Sequence, residues 1–153
     1  MSEIWFYHLQ RRSLEDVLPA LLAKSLERGW RCVVEAGSDE RVEALDAHLW
    51  TFDDQSFLPH GTVRDGHVTD QPIYLTAGPE NPNRAVVRFF VDGAVPNAVE
   101  GYQRSFLLFD GRDPDAVAEA REQWKRLKAG GHDISYWQQD DRGRWQNKAE
   151  ATS

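Results

Sequence analysis

The sequence predicts an α/β protein with a mixed, partly parallel sheet covered by helices. Hydropathy switches repeatedly between the short β-prone runs of strands and the 3–4 residue spacing of helical faces. The first four segments run strand, helix, strand, helix, the order of a βαβ crossover and hence of parallel pairing. The first and third helical stretches stop at glycine, at Gly29 and at Gly130-Gly131. A length of 153 residues suits one domain, because a chain of roughly 150 residues buries about 68–70% of its unfolded surface around one core. We assign residues 1–149 to that domain and 150–153 to a short C-terminal tail.

Ile4 to Leu9 reads as the first strand, and Ser13-Leu-Glu-Asp16 as a helix-capping signal. Leu14, Val17, Leu18, Leu21, Leu22 and Leu26 then mark one helical face. Pro19 lies inside it, so the helix is either kinked at that residue or begins there. Arg31 to Glu35 is the second strand. Ser38-Asp-Glu-Arg caps a second helix with Val42, Leu45, Leu49 and Trp50 as its expected inner face. Thr51 to Gln71, rich in Asp, Gly and His, reads as a long loop with isolated apolar residues such as Phe57 and Leu58. Short strands follow at Pro72–Thr76, Ala85–Val91 and Ser105–Phe109, with a turn cluster at Gly78 to Asn83. A third helix spans about Asp113 to Ala129. Asp133–Gln138, a turn at Asp140 to Gly143 and a strand around Arg144 to Gln146 close the chain.

With 18 basic against 25 acidic side chains, the formal charge is −7. That balance argues against direct binding of nucleic acid, which is driven by a surplus of Lys and Arg neutralising phosphates. Cys32 is the single cysteine, so an internal disulfide and a thiolate-built zinc site are excluded. No apolar run approaches the roughly 18 residues of a membrane span and no basic leader opens the chain, so a cytoplasmic protein without a membrane anchor is expected.

Few residues suggest catalysis. No phosphate loop or Gly-x-Gly-x-x-Gly is present, although Gly37-Ser38 falls between strand and helix, where backbone amides can hold an anion. His8, His48, His60, His67 and His132 are scattered without the i, i+4 spacing of a metal pair. Cys32, flanked by apolar residues, reads as a small hydrophobe. Asp39, Glu40, Glu43, Asp46, Asp53 and Asp54 could in principle assemble a Mg²⁺ site, but acidic residues also suit the start and the solvated face of a helix. A small phosphate- or nucleotide-handling enzyme is therefore the competing reading, and no cofactor or metal is expected on the preferred one.

The third helix carries the sharper signal. Residues 121–128 read Arg-Glu-Gln-Trp-Lys-Arg-Leu-Lys, with four basic residues against one acidic. Arg121, Trp124, Lys125 and Lys128 share a helical face. Basic residues in final turns also complement the helix dipole, and Trp124 could belong to the core. As a binding face, it suits carboxylates beside an apolar group, such as an acidic peptide with an aromatic end.

The chain resembles the chi subunit family of the bacterial DNA polymerase III holoenzyme. The likeness lies in Phe6-Tyr-His-Leu9, Leu45-Asp-Ala-His-Leu-Trp50, Ser56-Phe-Leu-Pro-His-Gly61, Ala120-Arg-Glu-Gln-Trp-Lys125, Tyr136-Trp-Gln-Gln139 and Gly143-Arg-Trp145, in that order. The resemblance implies a three-layer α/β/α fold, Rossmann-like without a nucleotide motif. It also implies a non-catalytic accessory role in the clamp-loader assembly, with the psi subunit and the acidic, Phe-terminated tail of single-stranded DNA-binding protein as partners. The family's tail-binding helix matches at Arg121, Trp124 and Lys125, with Trp in place of a Tyr carried by other members. Lys128 joins them on helical geometry and charge, as does the neighbouring cation Arg126.

Overall fold

A computed structural model describes residues 3–10, 12–51, 58–97, 99–140, 142 and 144–147. The elements are β1 (Glu3–Leu9), α1 (Leu14–Glu27), β2 (Cys32–Glu35), α2 (Asp39–Thr51), β3 (Ile73–Thr76), β4 (Val87–Phe90), β5 (Arg104–Asp110), α3 (Pro114–Ala129), β6 (Asp133–Gln139) and β7 (Trp145–Asn147). The strands form one seven-stranded sheet in the order β3-β2-β4-β5-β1-β6-β7. Every strand pair in it is parallel except β6 with β7.

The two crossovers leave the middle of the sheet in opposite directions. β1-α1-β2 runs toward the β3 edge and β5-α3-β6 toward the β7 edge. Helices therefore cover both faces, as expected when crossovers keep one hand. Val17, Leu18 and Leu22 of α1 and Val42, Leu45 and Leu49 of α2 pack with Leu9, Val34, Phe89 and Phe106 on one face. Ala120 and Leu127 of α3 pack with Ile4, Phe6, Leu107 and Phe109 on the other. Alternation along β1 divides its side chains between the layers, with Phe6 and His8 on the α3 side and Tyr7 and Leu9 on the α1 side.

Local chemistry sets the helix boundaries. The Ser13 hydroxyl accepts from the Asp16 amide at 3.3 Å, capping α1. At its other end the Gly29 amide reaches Leu26 O at 2.9 Å and the Trp30 amide reaches Ser25 O at 3.0 Å. This paired closure needs a left-handed residue, and Gly29 supplies it at φ 77°. The helix begins at Leu14, ahead of Pro19, which lies buried inside it. Proline has no N–H for the Glu15 carbonyl one turn back. His48 of α2 serves that carbonyl instead, its Nε2 donating at 2.7 Å.

Two expectations need correction. Trp50 is not on the inner face of α2 but 51% exposed. Val42, Leu45 and Leu49 already complete the buried stripe, and one further residue turns the side chain by about 100° out of it. Its ring rests on the His60 ring, with centroids 4.4 Å apart. The second correction concerns the segment before β3, which is more ordered than a plain loop. Leu58 and His60 are buried, Gly61 bridges to Tyr74, and short 3-10 turns form at Val63–Asp65 and Val68–Asp70. Thr62 and Asp65 cap the first of these turns reciprocally. Asp53, Asp54 and Phe57 lie outside the described residues, as does the 150–153 tail.

The sequence gives no warning of Arg88, a strand residue only 1% exposed. Its guanidinium donates to Glu35 Oε1, to the Gly78 and Glu80 carbonyls and to the Tyr102 hydroxyl. One side chain thus fastens β4 to β2 and to the turn after β3. Burial raises the Glu35 carboxyl above its ordinary value, against the pull of Arg88.

Candidate functional site

The cationic face lies on α3. Asp113 caps the helix by accepting from the Asp115 amide at 3.0 Å, and Pro114 occupies the first turn. Ala120, Gln123 and Leu127 form its buried stripe. Arg121, Lys125 and Lys128 are exposed beside it, and Trp124 is half-buried at the boundary. All four predicted residues therefore share one edge of the helix. Trp124 is fixed edge-on against Phe6 of β1 at 5.4 Å and Tyr136 of β6 at 5.7 Å between centroids. The Lys128 ammonium lies 5.9 Å from the Trp124 ring centre. Lys125 makes a 3.8 Å ion pair with Glu122, with both side chains at least 70% exposed, an arrangement that holds the lysine only weakly. Arg126 belongs elsewhere. It donates to Gln123 Oε1 and, at 2.7 Å, to the Pro96 carbonyl, which ties the helix to the segment after β4.

Two further residues join this face that the sequence reading had not connected to it. His8 Nδ1 lies 2.6 Å from the Tyr136 hydroxyl. The charge of Arg121 acts on both groups. Burial lowers the His8 imidazole below its usual value and Arg121 pushes the same way, while the Gly111 backbone and Asp110 oppose them. Burial raises the Tyr136 phenol, against Arg121. The two residues are 128 positions apart. Only the parallel β1–β6 register, which sets Phe6 opposite Tyr136, brings them together.

The sites considered for other chemistry are less well formed. Gly37 is packed against the chain at Asp92, where a Cβ would approach a backbone carbonyl to 2.4 Å. That carbonyl oxygen stands where an anion would need donors, and the Ser38 hydroxyl already accepts from the Arg41 amide at 3.3 Å. Cys32 is fully buried and its thiol is pushed up to about 12 by burial, despite the Ser25 hydroxyl, so a reactive thiolate is disfavoured. Among the described residues no three of His, Cys, Asp and Glu converge to hold a metal.

A cleft of about 610 Å³ opens at the carboxyl ends of β1 and β5, beside the N-termini of α1 and α3. Open α/β sheets hold ligands at such switch points. Here, however, Arg41 is tied to Asp92 at 3.0 Å and Glu15 at 3.4 Å, and Arg112 is tied to Asp110 at 3.4 Å. Asp113, Asp115 and Glu119 add further negative charge to the lining, which disfavours a phosphate. No helix among the described residues is long and apolar enough to cross a membrane.

Fold and face together define a doubly wound α/β protein with a cationic and aromatic edge on its third helix. The chain belongs to the family described as DNA polymerase III chi subunit, HolC, whose sequence model matches residues 1–135. It is also 30% identical over 87 residues to a protein of Rickettsia prowazekii (strain Madrid E) described as a probable DNA polymerase III subunit chi. That match spans 57% of this chain and 53% of the relative, about half of each.

Proposed function

We propose that this chain is a non-catalytic accessory subunit of the replicative DNA polymerase III clamp-loader assembly, acting during DNA replication. In this reading it links the assembly to the acidic tail of single-stranded DNA-binding protein, with the psi subunit as a second partner. The observation that carries the proposal is the shared edge of α3, where the exposed Arg121, Lys125 and Lys128 surround the half-buried Trp124. The cations take the tail's carboxylates and Trp124 walls the place of its terminal Phe. Contact with DNA is indirect, in keeping with a chain of formal charge −7. The mechanism is tethering, which raises the local concentration of polymerase at coated template without reading bases.

Titrating the protein with an acidic, Phe-terminated peptide tests the proposal. Arg121→Ala or Lys125→Ala is expected to weaken binding by roughly 1.5–3 kcal/mol, the scale of hydrogen bonds to charged groups. Binding should also weaken between 0.05 and 0.5 M salt as the exposed charges are screened. Unchanged affinity in both variants removes this face as the site. Pull-down of single-stranded DNA-binding protein with and without its last residues checks the partner itself.

A further inference from the structure

The cation and indole chemistry of the α3 edge recurs on the other side of the sheet. Trp5, Trp30, Trp137 and Trp145 pack against the α1-side core and stay only partly buried. Arg104 of β5 lies beside two of them, its guanidinium 4.0 Å from the Trp5 ring centre and 5.4 Å from that of Trp30. Trp137 stacks on Trp5 at 5.1 Å, so the indoles form a shelf already held in place. Arg28 closes its end, 4.9 Å from the Trp30 ring centre. Arg104 is tied to the Glu3 carboxylate at 3.0 Å. The exposed Arg28 side chain, by contrast, makes no hydrogen bond or ion pair among the described residues. Nor does that of exposed Lys24, one turn earlier on the same face of α1. The helix end does not need these cations, because the Gly29 and Trp30 amides already serve the Leu26 and Ser25 carbonyls. Glu27 is turned about 100° around the helix from Arg28 and pairs with neither cation.

We propose that Lys24, Arg28 and the shelf of Trp30 and Trp5 form a second site for an acidic peptide that carries an aromatic side chain. Arg28 offers its fork to one carboxylate, and Lys24 takes another one turn along the helix. The peptide's aromatic ring lies on the exposed part of Trp30, where ring contact adds to burial. Since Arg104 and Trp137 already fix the shelf, little side-chain ordering opposes binding. A nucleic-acid strand is the less suited occupant, because two unpaired cations neutralise few phosphates and the whole chain carries −7. The site is built from its own residues and does not rest on the tail reading, although both faces take the same ligand chemistry.

The test titrates the whole chain with an acidic, Phe-terminated peptide by calorimetry, which counts sites. Wild type should take two peptides per chain. Arg121→Ala with Lys125→Ala should leave one, and adding Lys24→Ala with Arg28→Ala should weaken that remaining site about tenfold or more. Lys24 and Arg28 are exposed, so an unchanged thermal midpoint is expected in these variants. One peptide per chain, lost with Arg121→Ala and Lys125→Ala alone, overturns this site and leaves the tail reading standing. One peptide lost only with Lys24→Ala and Arg28→Ala supports this site and removes the α3 edge instead. A second peptide that ignores the Lys24 and Arg28 substitutions overturns the assignment to these residues. Oligothymidylate binding that is lost in Arg28→Ala, with no second peptide site, overturns the peptide as the ligand. Failure of wild type to bind the peptide at all overturns both sites.

Discussion

At the scale of single residues, His8 reports on the cationic edge. Its folded-state value lies below the ordinary one of about 6.5, so its contribution to stability is present above that pH and is lost as pH falls through the lowered value. Arg121 is one cause of the lowering. Replacing Arg121 by Gln is therefore expected to move the His8 titration upward, as read from its imidazole NMR signals against pH. A midpoint that does not move would place the guanidinium away from the ring. The four residues of the α3 edge were legible in sequence because they lie within one short segment of helix, where spacing alone fixes a shared face. His8 and Tyr136 were not, since nothing local in either strand reveals which other strand lies beside it.

At the scale of elements, α1 depends on a neighbour to tolerate Pro19. His48→Ala leaves the half-buried Glu15 carbonyl without its donor and is expected to cost about 1 kcal/mol, the net worth of one hydrogen bond. Pro19→Ala restores the backbone donor within α1. If the carbonyl is the source of the cost, the double variant should recover part of it, and urea unfolding of the two single variants and the double measures that coupling. Capping residues put the starts of α1 and α2, and glycine stops the ends of α1 and α3, within reach of the sequence, because each is a local backbone feature. Trp50 faces out because it directly follows Leu49, the last residue of the buried stripe, and one helical step of about 100° turns it to solvent. The order around Leu58 to Asp65 escaped notice because Gly61 finds its strand partner at Tyr74, across the turn.

At the scale of the whole molecule, the sheet is the common support, and Arg88 joins its β2 and β4 strands to the turn that follows β3. Arg88→Met removes the guanidinium from that buried cluster while keeping much of the side chain's volume. It strands the Glu35 carboxylate and two carbonyls, so a loss of roughly 3–5 kcal/mol is expected. Thermal unfolding should show it as a fall on the order of 6–20 °C in midpoint. The parallel order was foreseeable from alternating strands and helices, whereas a buried arginine in the middle of Val87-Arg-Phe-Phe90 has no local signature. The opposed crossovers have one more consequence. Because α3 lies on one side of the sheet and α1 with α2 on the other, a peptide seated on the α3 edge leaves the opposite layer unobstructed. Two partners approaching from the two sides would bind without displacing each other, and the strands between them would set a fixed spacing that no flexible tether could give.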